Sequence, residues 1–150
     1  MDCYARRLMA FGEGSRDQAR RGWDSNFPRF RDAKPRVIKI ELERFVRDAS
    51  REQVRAWEES IPLLQSEVGE VCAVDARAET YGAILEYELP LESRRPDVVL
   101  LVRGAIVILE LKGKTVPTQA DLDRASAYAR DLRCYQGTRR REARPRRGEE

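Results

Sequence analysis

The chain has 150 residues, 41% of them hydrophobic, which suits one ordinary domain with a core of its own. No apolar run approaches the roughly 20 residues that span a bilayer, and residues 1–14 lack the apolar run of a secretory signal. These features predict a soluble, cytoplasmic protein without a membrane partner. The three cysteines, Cys3, Cys72 and Cys134, are widely spaced, which argues against a zinc site or a disulfide framework.

Histidine is absent from the sequence. Its absence excludes triads of the Ser-His-Asp type, histidine-ligated metal hydrolases and nucleases that combine a histidine with a metal. Any hydrolytic chemistry must therefore use carboxylates, lysine, arginine, tyrosine, serine or cysteine.

The net charge is only +3, but the positive charge is concentrated at the C-terminal end. Residues 139–150 contain six arginines and three glutamates. Such a segment attracts phosphate backbones, and Arg139, Arg140 and Arg141 are candidate nucleic-acid-binding residues. Residues 137–150 are predicted to form a basic, disordered tail, and the alternative to phosphate binding is that this end is merely solvated.

Residues 1–49 carry the weakest structural signals. Arg, Gly, Asp and Pro interrupt the early part of this segment, which predicts a poorly ordered or loosely helical leader. The apolar residues within 37–42 fit either a short strand or the start of a helix, and the pattern does not decide between the two.

A helix is predicted to begin after Ser50, which has the N-cap residue type, with Gln53 three positions later completing a capping box. Apolar residues then recur on one helical stripe, namely Val54, Trp57, Ile61, Leu64 and Val68. Pro62 is expected to kink this helix or to end it early, and Gly69 is a plausible end.

Three strands are predicted after this helix, over residues 82–90, 95–102 and 105–112. The second and third are dense in Val, Ile and Leu on both faces, a pattern typical of central strands in a sheet that is covered on both sides.

A final helix is predicted after Thr118, the expected N-cap, with Asp121 three positions later. Its buried stripe comprises Leu122, Ala125, Ala129 and Leu132, and Gly137 is expected to end it. The predicted fold is therefore α/β, with a helix, three strands and a helix within residues 50–136.

The turn between the second and third strands brings acidic residues together. Only Arg103-Gly104 is left as a loop, and Gly at the second position suits the primed turns of two-residue hairpins. Paired residue numbers must then sum to 207, so Asp97 faces Glu110 with Cβ atoms roughly 4.5–5.5 Å apart. Lys112, two residues beyond Glu110, lies on the same face.

Two opposed carboxylates destabilise a hairpin, and partial burial adds a desolvation cost. A divalent cation removes both problems, since Mg²⁺ is commonly held by one or two carboxylates together with waters and phosphate oxygens. Lys112 could then orient the attacking water or neutralise charge on phosphorus. The alternative is a salt bridge from Lys112 to Glu110 or Asp97 without catalysis.

Pro96-Asp97 and Glu110-Leu111-Lys112, each on its own strand, resemble the PD-(D/E)xK nuclease superfamily. Over residues 50–136 the chain looks most like the module found N-terminal to P-loop DNA/RNA helicase domains of the Schlafen-related kind. The resemblance implies a restriction-endonuclease-like fold and hydrolysis of nucleic acid, with DNA favoured. It also implies Mg²⁺, with Mn²⁺ as a substitute. Because the sequence has no P-loop, a helicase or ATPase partner would be supplied elsewhere.

The resemblance also implies roles for single residues. Asp97 and Glu110 would bind the metal together with the Leu111 carbonyl, and Lys112 would be the catalytic lysine. Many members of the superfamily add an acid from the first helix or a neighbouring strand. The candidates for this accessory acid are Glu58, Glu59, Glu67, Glu86 and Glu88, with Glu58 and Glu86 foremost.

Two departures from the superfamily pattern leave alternatives open. One branch carries Gln-x-x-x-Tyr on the last helix, whereas this chain has Arg124 and Tyr128, which are accessory site candidates. The strand that normally follows this helix is expected to be missing, which would leave a sheet edge bare. The chain could therefore be an inactive nucleic-acid-binding module or a truncated remnant of a helicase-associated nuclease domain.

Overall fold

The computed structural model describes residues 21–89, 94–112 and 116–142, with side chains to residue 134. Its elements are β1 (Arg21–Asn26), α1 (Phe27–Asp32), α2 (Pro35–Phe45), α3 (Arg51–Val74), a 3₁₀ helix (Ala76–Thr80), β2 (Gly82–Tyr87), β3 (Val98–Val102), β4 (Ala105–Leu109) and α4 (Gln119–Glu142). None of the helices in these ranges is long and apolar enough to cross a membrane.

The strands form one antiparallel sheet in the order β1-β2-β3-β4, so the described residues have the mixed α/β architecture that the sequence predicts. The sheet has four strands and not three, because β1 pairs with β2 along its length. The expectation that β3 and β4 are both central is wrong for β4, which is the outer strand of this sheet. Central strands and apolar edge strands look alike in sequence.

The prediction that residues 1–49 form a loosely structured leader is wrong from residue 21 onward. Phe27 and Phe30 of α1 and Ile38 and Leu42 of α2 are among the most buried side chains of the described structure. The ambiguous segment 37–42 is helical and lies within α2. Helices α1 and α2 are difficult to predict from sequence because each is short and charged and contributes only two buried side chains to the core. Residues 1–20 lie outside the described residues.

Helix α3 begins as predicted, since the Ser50 side chain accepts a hydrogen bond from the Gln53 amide at 3.1 Å. Neither Pro62 nor Gly69 ends it, and it runs on to Val74. An internal proline costs about 3 kcal/mol. Burial of Trp57, Ile61 and Val68 along the predicted stripe outweighs this, at roughly 1.5–3 kcal/mol for each side chain.

The sheet separates two apolar clusters, and each covers one of its faces. The larger cluster packs α1, α2 and α3 against one face and includes Trp57, Leu85 and Val98. The smaller cluster packs α4 against the other face through Tyr128 and Leu132. The two faces of the sheet are therefore a helical-layer face and an α4 face.

Helix α4 starts where predicted, with the Asp121 carboxylate accepting hydrogen bonds from the Thr118 amide and hydroxyl at 2.8 and 2.7 Å. The predicted stripe is only partly right, because Leu122 is 51% exposed whereas Tyr128 and Leu132 are buried. The helix also continues past Gly137 to Glu142, so the predicted disordered tail is wrong over residues 137–142. Residues 143–150 lie outside the described residues.

Gln65 fastens α1 to α3 in the interior of the helical layer. It is 8% exposed, and its amide nitrogen donates to the carbonyl oxygens of Phe30 and Ala33 at 2.6 and 2.7 Å. These carbonyls lie at the end of α1, where helices leave backbone acceptors without partners. Gln65, in the middle of α3, therefore supplies hydrogen-bond donors to the carbonyl oxygens at the end of α1.

Replacing Gln65 with leucine keeps the side-chain volume but removes both donors. We expect Gln65→Leu to lower the free energy of unfolding by about 2 kcal/mol, because buried acceptors then lose their partners. Urea unfolding followed by circular dichroism measures this, with the exposed neighbour Ser66→Ala as control. A loss below about 0.5 kcal/mol, within the usual range of surface substitutions, would contradict the assignment.

Candidate metal centre

The β3–β4 turn has the primed conformation predicted for it. Arg103 and Gly104 have φ angles of 51° and 78°, the positive values that type I′ turns require at both positions. The Arg103 guanidinium donates to the Tyr81 hydroxyl at 3.0 Å and to Asp75 at 2.8 Å. Because Asp75 and Tyr81 flank the 3₁₀ helix, the turn is tied to the body of the domain.

This turn sets the register on which the candidate site depends. The pairs run from Val102 opposite Ala105 to Val98 opposite Leu109, and every pair sums to 207 as predicted. Extending this register by one position beyond the two strands sets Asp97 opposite Glu110. They continue the alternation of Val99 and Ile108, so they lie on the α4 face.

Hydrogen bonds join the acidic pair and the lysine. The Leu111 amide donates to Asp97 Oδ2 at 2.7 Å, and the Asp97 amide lies 3.4 Å from Glu110 Oε1. Lys112 Nζ lies 3.4 Å from Glu110 Oε2. The structure thus brings together Asp97, Glu110, Leu111 and Lys112 at the open end of the hairpin.

Burial makes negative charge costly at this site. Burial is the main cause that raises the pKa of Asp97. The hydrogen bond from the Leu111 amide and the positive charges of Lys112 and Arg124 lower this pKa, but by less. Burial also raises the pKa of Glu110, and the neighbouring charge of Asp97 raises it further. The two carboxylates therefore lack sufficient compensation from the protein alone, and a bound cation would favour their charged forms.

Helix α4 supplies the other side of the site. The charges of Arg124 and Glu110 both act on Tyr128, a buried residue whose pKa is raised mainly by desolvation. The Arg94 guanidinium lies over the Tyr128 ring, 5.5 Å from its centre, and pairs with Asp131 at 3.0 Å. Both α4 candidates, Arg124 and Tyr128, thus lie near the acidic pair.

Glu86, one of the candidates for an accessory acid, lies beside the site. It is 3% exposed, and its amide donates to the Asp97 carbonyl oxygen at 3.0 Å. Burial is the main cause that raises the pKa of Glu86, and the charge of Asp97 raises it further.

The three candidate glutamates of α3 do not join the centre. Glu58 is ion-paired with Lys39 of α2 at 2.6 Å, and Glu59 and Glu67 are exposed on α3. Glu88 is partly buried just after β2. Arg139, Arg140 and Arg141 lie in the last turns of α4, and their side chains are outside the described residues.

Sequence reasoning did not find the partners that hold Glu86. Trp57 was expected only as a core residue, and Gln53 only as part of a helix cap. In the structure both donate to the Glu86 carboxylate, at 3.0 and 3.4 Å. The one signal in the sequence is a glutamate between Leu85 and Tyr87 within the predicted strand 82–90.

Within the described ranges, no three Asp, Glu, Cys or His side chains are grouped closely enough to hold a metal ion by themselves. The hairpin offers two neighbouring carboxylates, those of Asp97 and Glu110. That set suits Mg²⁺, which keeps several waters and binds through one or two carboxylates.

No family model, curated protein or solved structure matches this chain. The chemistry of the site is therefore inferred from its own geometry.

The raised pKa of Glu86 gives a testable pH dependence of stability. Because the folded state binds this proton more tightly than the unfolded state, the contribution of Glu86 to stability is largest below its ordinary pKa of 4.5 and falls as pH rises through the raised value. We expect Glu86→Gln to gain stability relative to the wild type as pH rises from 4 to 7.

Urea unfolding of both proteins at intervals over this pH range, without divalent metal, measures the effect. Glu70→Gln, on the exposed side of α3, is the matched control. If the stability difference between wild type and Glu86→Gln does not change with pH, burial does not control the charge on Glu86.

Proposed function

We propose that the protein hydrolyses phosphodiester bonds of nucleic acid, with DNA as the favoured substrate, in a Mg²⁺-dependent reaction. The observation that carries this proposal is the hydrogen-bonded proximity of Asp97, Glu110 and Lys112 at the open end of the β3–β4 hairpin. Resemblance to the PD-(D/E)xK superfamily supports the proposal by analogy.

Asp97, Glu110 and the Leu111 carbonyl would hold the metal. The raised pKa values of both carboxylates mean that the folded protein gains from a neighbouring positive charge. When bound, Mg²⁺ would lower the pKa of a coordinated water and offset negative charge on the phosphate. The Leu111 amide holds one oxygen of Asp97, which limits rotation of that carboxylate.

Lys112 is the residue that we assign to the reacting phosphate. Its side chain is 29% exposed, so it is accessible from solvent while it pairs with Glu110. An ammonium group there can stabilise charge that develops on phosphoryl oxygens or orient the attacking water. Arg124, exposed on α4 and close enough for its charge to act on Asp97, is suited to bind a flanking phosphate.

A nucleic-acid-binding module without turnover is the second candidate function. The observation that favours it is the ion pair between Lys112 and Glu110, which engages one of the two carboxylates with the lysine. In this case Lys112 and Arg124 would bind phosphates directly, and the acidic pair would only position Lys112.

Metal binding is the first test. We expect calorimetric titration to show that Asp97→Asn weakens Mg²⁺ binding at least about tenfold, since the variant removes one of two anionic ligands. Asp48→Asn, an exposed residue between α2 and α3, is the matched control. Equal affinities in wild type and Asp97→Asn would remove Asp97 from the site.

Cleavage is the second test. In a plasmid nicking assay with Mg²⁺, we expect Lys112→Ala to lower the rate about 100-fold while it retains metal affinity, because its charge acts on the phosphate. Lys34→Ala, exposed at the start of α2, is the control. Wild-type rates in both Lys112→Ala and Asp97→Ala would show that any cleavage comes from another site.

Salt dependence separates the two candidate functions. If the protein binds without cutting, its affinity for DNA should fall steeply with salt and survive Glu110→Gln. For a metal-dependent nuclease, Glu110→Gln should abolish nicking. Fluorescence anisotropy with a labelled duplex, alongside the nicking assay, measures both properties on the same samples.

A further inference from the structure

Glu86 is a buried carboxylate to which the proposed hydrolysis assigns no direct role. Its backbone has φ 53°, in the left-handed region, although it lies near the end of a strand. Residues other than glycine adopt this conformation at an energetic cost, and they keep it only where the surrounding structure enforces it.

Three side chains enforce the conformation of Glu86. Its Oε1 accepts hydrogen bonds from Trp57 Nε1 at 3.0 Å and Gln53 Nε2 at 3.4 Å, both on α3. Its Oε2 lies 3.6 Å from the guanidinium of Arg95, a residue in the segment before β3. The carboxylate is therefore held between the helical layer and the chain that enters β3.

The conformation of Glu86 interrupts the alternation of β2. Leu85 belongs to the helical-layer cluster, Glu86 bonds to α3 on that same side, and Tyr87 belongs to the α4-side cluster. In a regular strand, Leu85 and Glu86 would point to opposite faces. The pairing with β1 and β3 keeps the same register on both sides of this point, so the left-handed φ of Glu86 redirects the side chains of β2 without an inserted residue.

Gly22 on β1 accommodates this irregularity. A Cβ atom at position 22 would lie 2.5 Å from Leu42 Cδ2 and 3.3 Å from the Glu86 Cβ. The first distance is too short for any real side chain. The neighbouring strand therefore carries no side chain at the place where Glu86 departs from regular geometry.

The backbone of Glu86 is bonded directly to Asp97. Its amide donates to the Asp97 carbonyl oxygen at 3.0 Å, one step beyond the paired residues Leu85 and Val98. On its other side, Asp97 is held through its own amide and its carboxylate, by Glu110 and Leu111. The direction of the Asp97 carboxylate thus depends on where β2 places the Glu86 amide.

We infer that Glu86 is a positioning residue that fixes the Asp97 carboxylate through the β2–β3 backbone bond, with Trp57, Gln53 and Arg95 holding Glu86 in its left-handed conformation. The purpose of this arrangement rests on the proposed function, whereas the positioning itself requires no metal. Glu86 neither binds the metal nor touches the substrate in this assignment.

The Leu111 amide reports on the positioning, because it donates to Asp97 Oδ2 at 2.7 Å. Hydrogen exchange of this amide can be followed by NMR on the full chain without metal, with Asp97→Ala defining the result of losing the bond. Trp57→Phe removes one donor to Glu86 but keeps an aromatic ring in the core, and Glu86→Gln removes the charge that both α3 donors and Arg95 engage.

We expect exchange at Leu111 to accelerate at least about tenfold in Trp57→Phe and Glu86→Gln, and to stay unchanged in the Glu70→Gln control. If the other variants do not unfold cooperatively, Gln53→Ala takes their place, because it removes a partly exposed donor to Glu86. In Gln53→Ala we expect Leu111 exchange to accelerate threefold or more. Leu111 exchange within twofold of wild type in the folded variants would overturn the inference.

The outcome is independent of the metal titration. If the wild type binds no Mg²⁺, the proposed function fails while the Leu111 measurement still decides whether Glu86 positions Asp97. If Mg²⁺ binds but Leu111 exchange does not respond, the proposed function stands and Glu86 serves only to satisfy Trp57 in the core.

Discussion

The register of the β3–β4 hairpin is the constraint on which the candidate site depends. Side chains alternate between faces with a period of two, so a slip of one residue would turn Asp97 and Glu110 to opposite faces. The type I′ turn fixes this register, and Arg103 secures the turn through Asp75 and Tyr81 at the far end of the hairpin. Arginine stands where asparagine is usual in such turns, and its side chain bonds to Tyr81 and Asp75.

The sequence was sufficient to predict several features that depend on local pattern. The N-cap at Ser50, the stripe of α3, the Arg103-Gly104 turn and the opposition of Asp97 to Glu110 follow from spacing alone, because each involves residues close in the chain. The pairing of β1 with β2 could not be predicted in this way, since Arg21–Asn26 has a polar composition and its partner lies about 60 residues away.

Tertiary packing decided the remaining differences. Pro62 and Gly69 are helix-breaking residues whose local effect is outweighed when a long apolar stripe is buried. At Glu86 the local backbone conformation itself is unfavourable, and hydrogen-bond donors on α3, distant in sequence, hold the residue in it. Departures of this second kind concentrate beside functional sites, where a defined arrangement of side chains matters more than the stability of one strand.

Strand β4 has a further consequence for the behaviour of the protein in solution. Its residues, Ala105–Leu109, include no charge and no proline, and Val107 at its centre is 38% exposed. Natural sheets usually carry lysine, proline or a bulge on an outer strand, because the free backbone groups of an outer strand can otherwise pair with another molecule. Among the described residues no strand pairs with the outer edge of β4, so a second extended chain could add to the sheet there, beside the strand end that leads directly into Glu110 and Lys112.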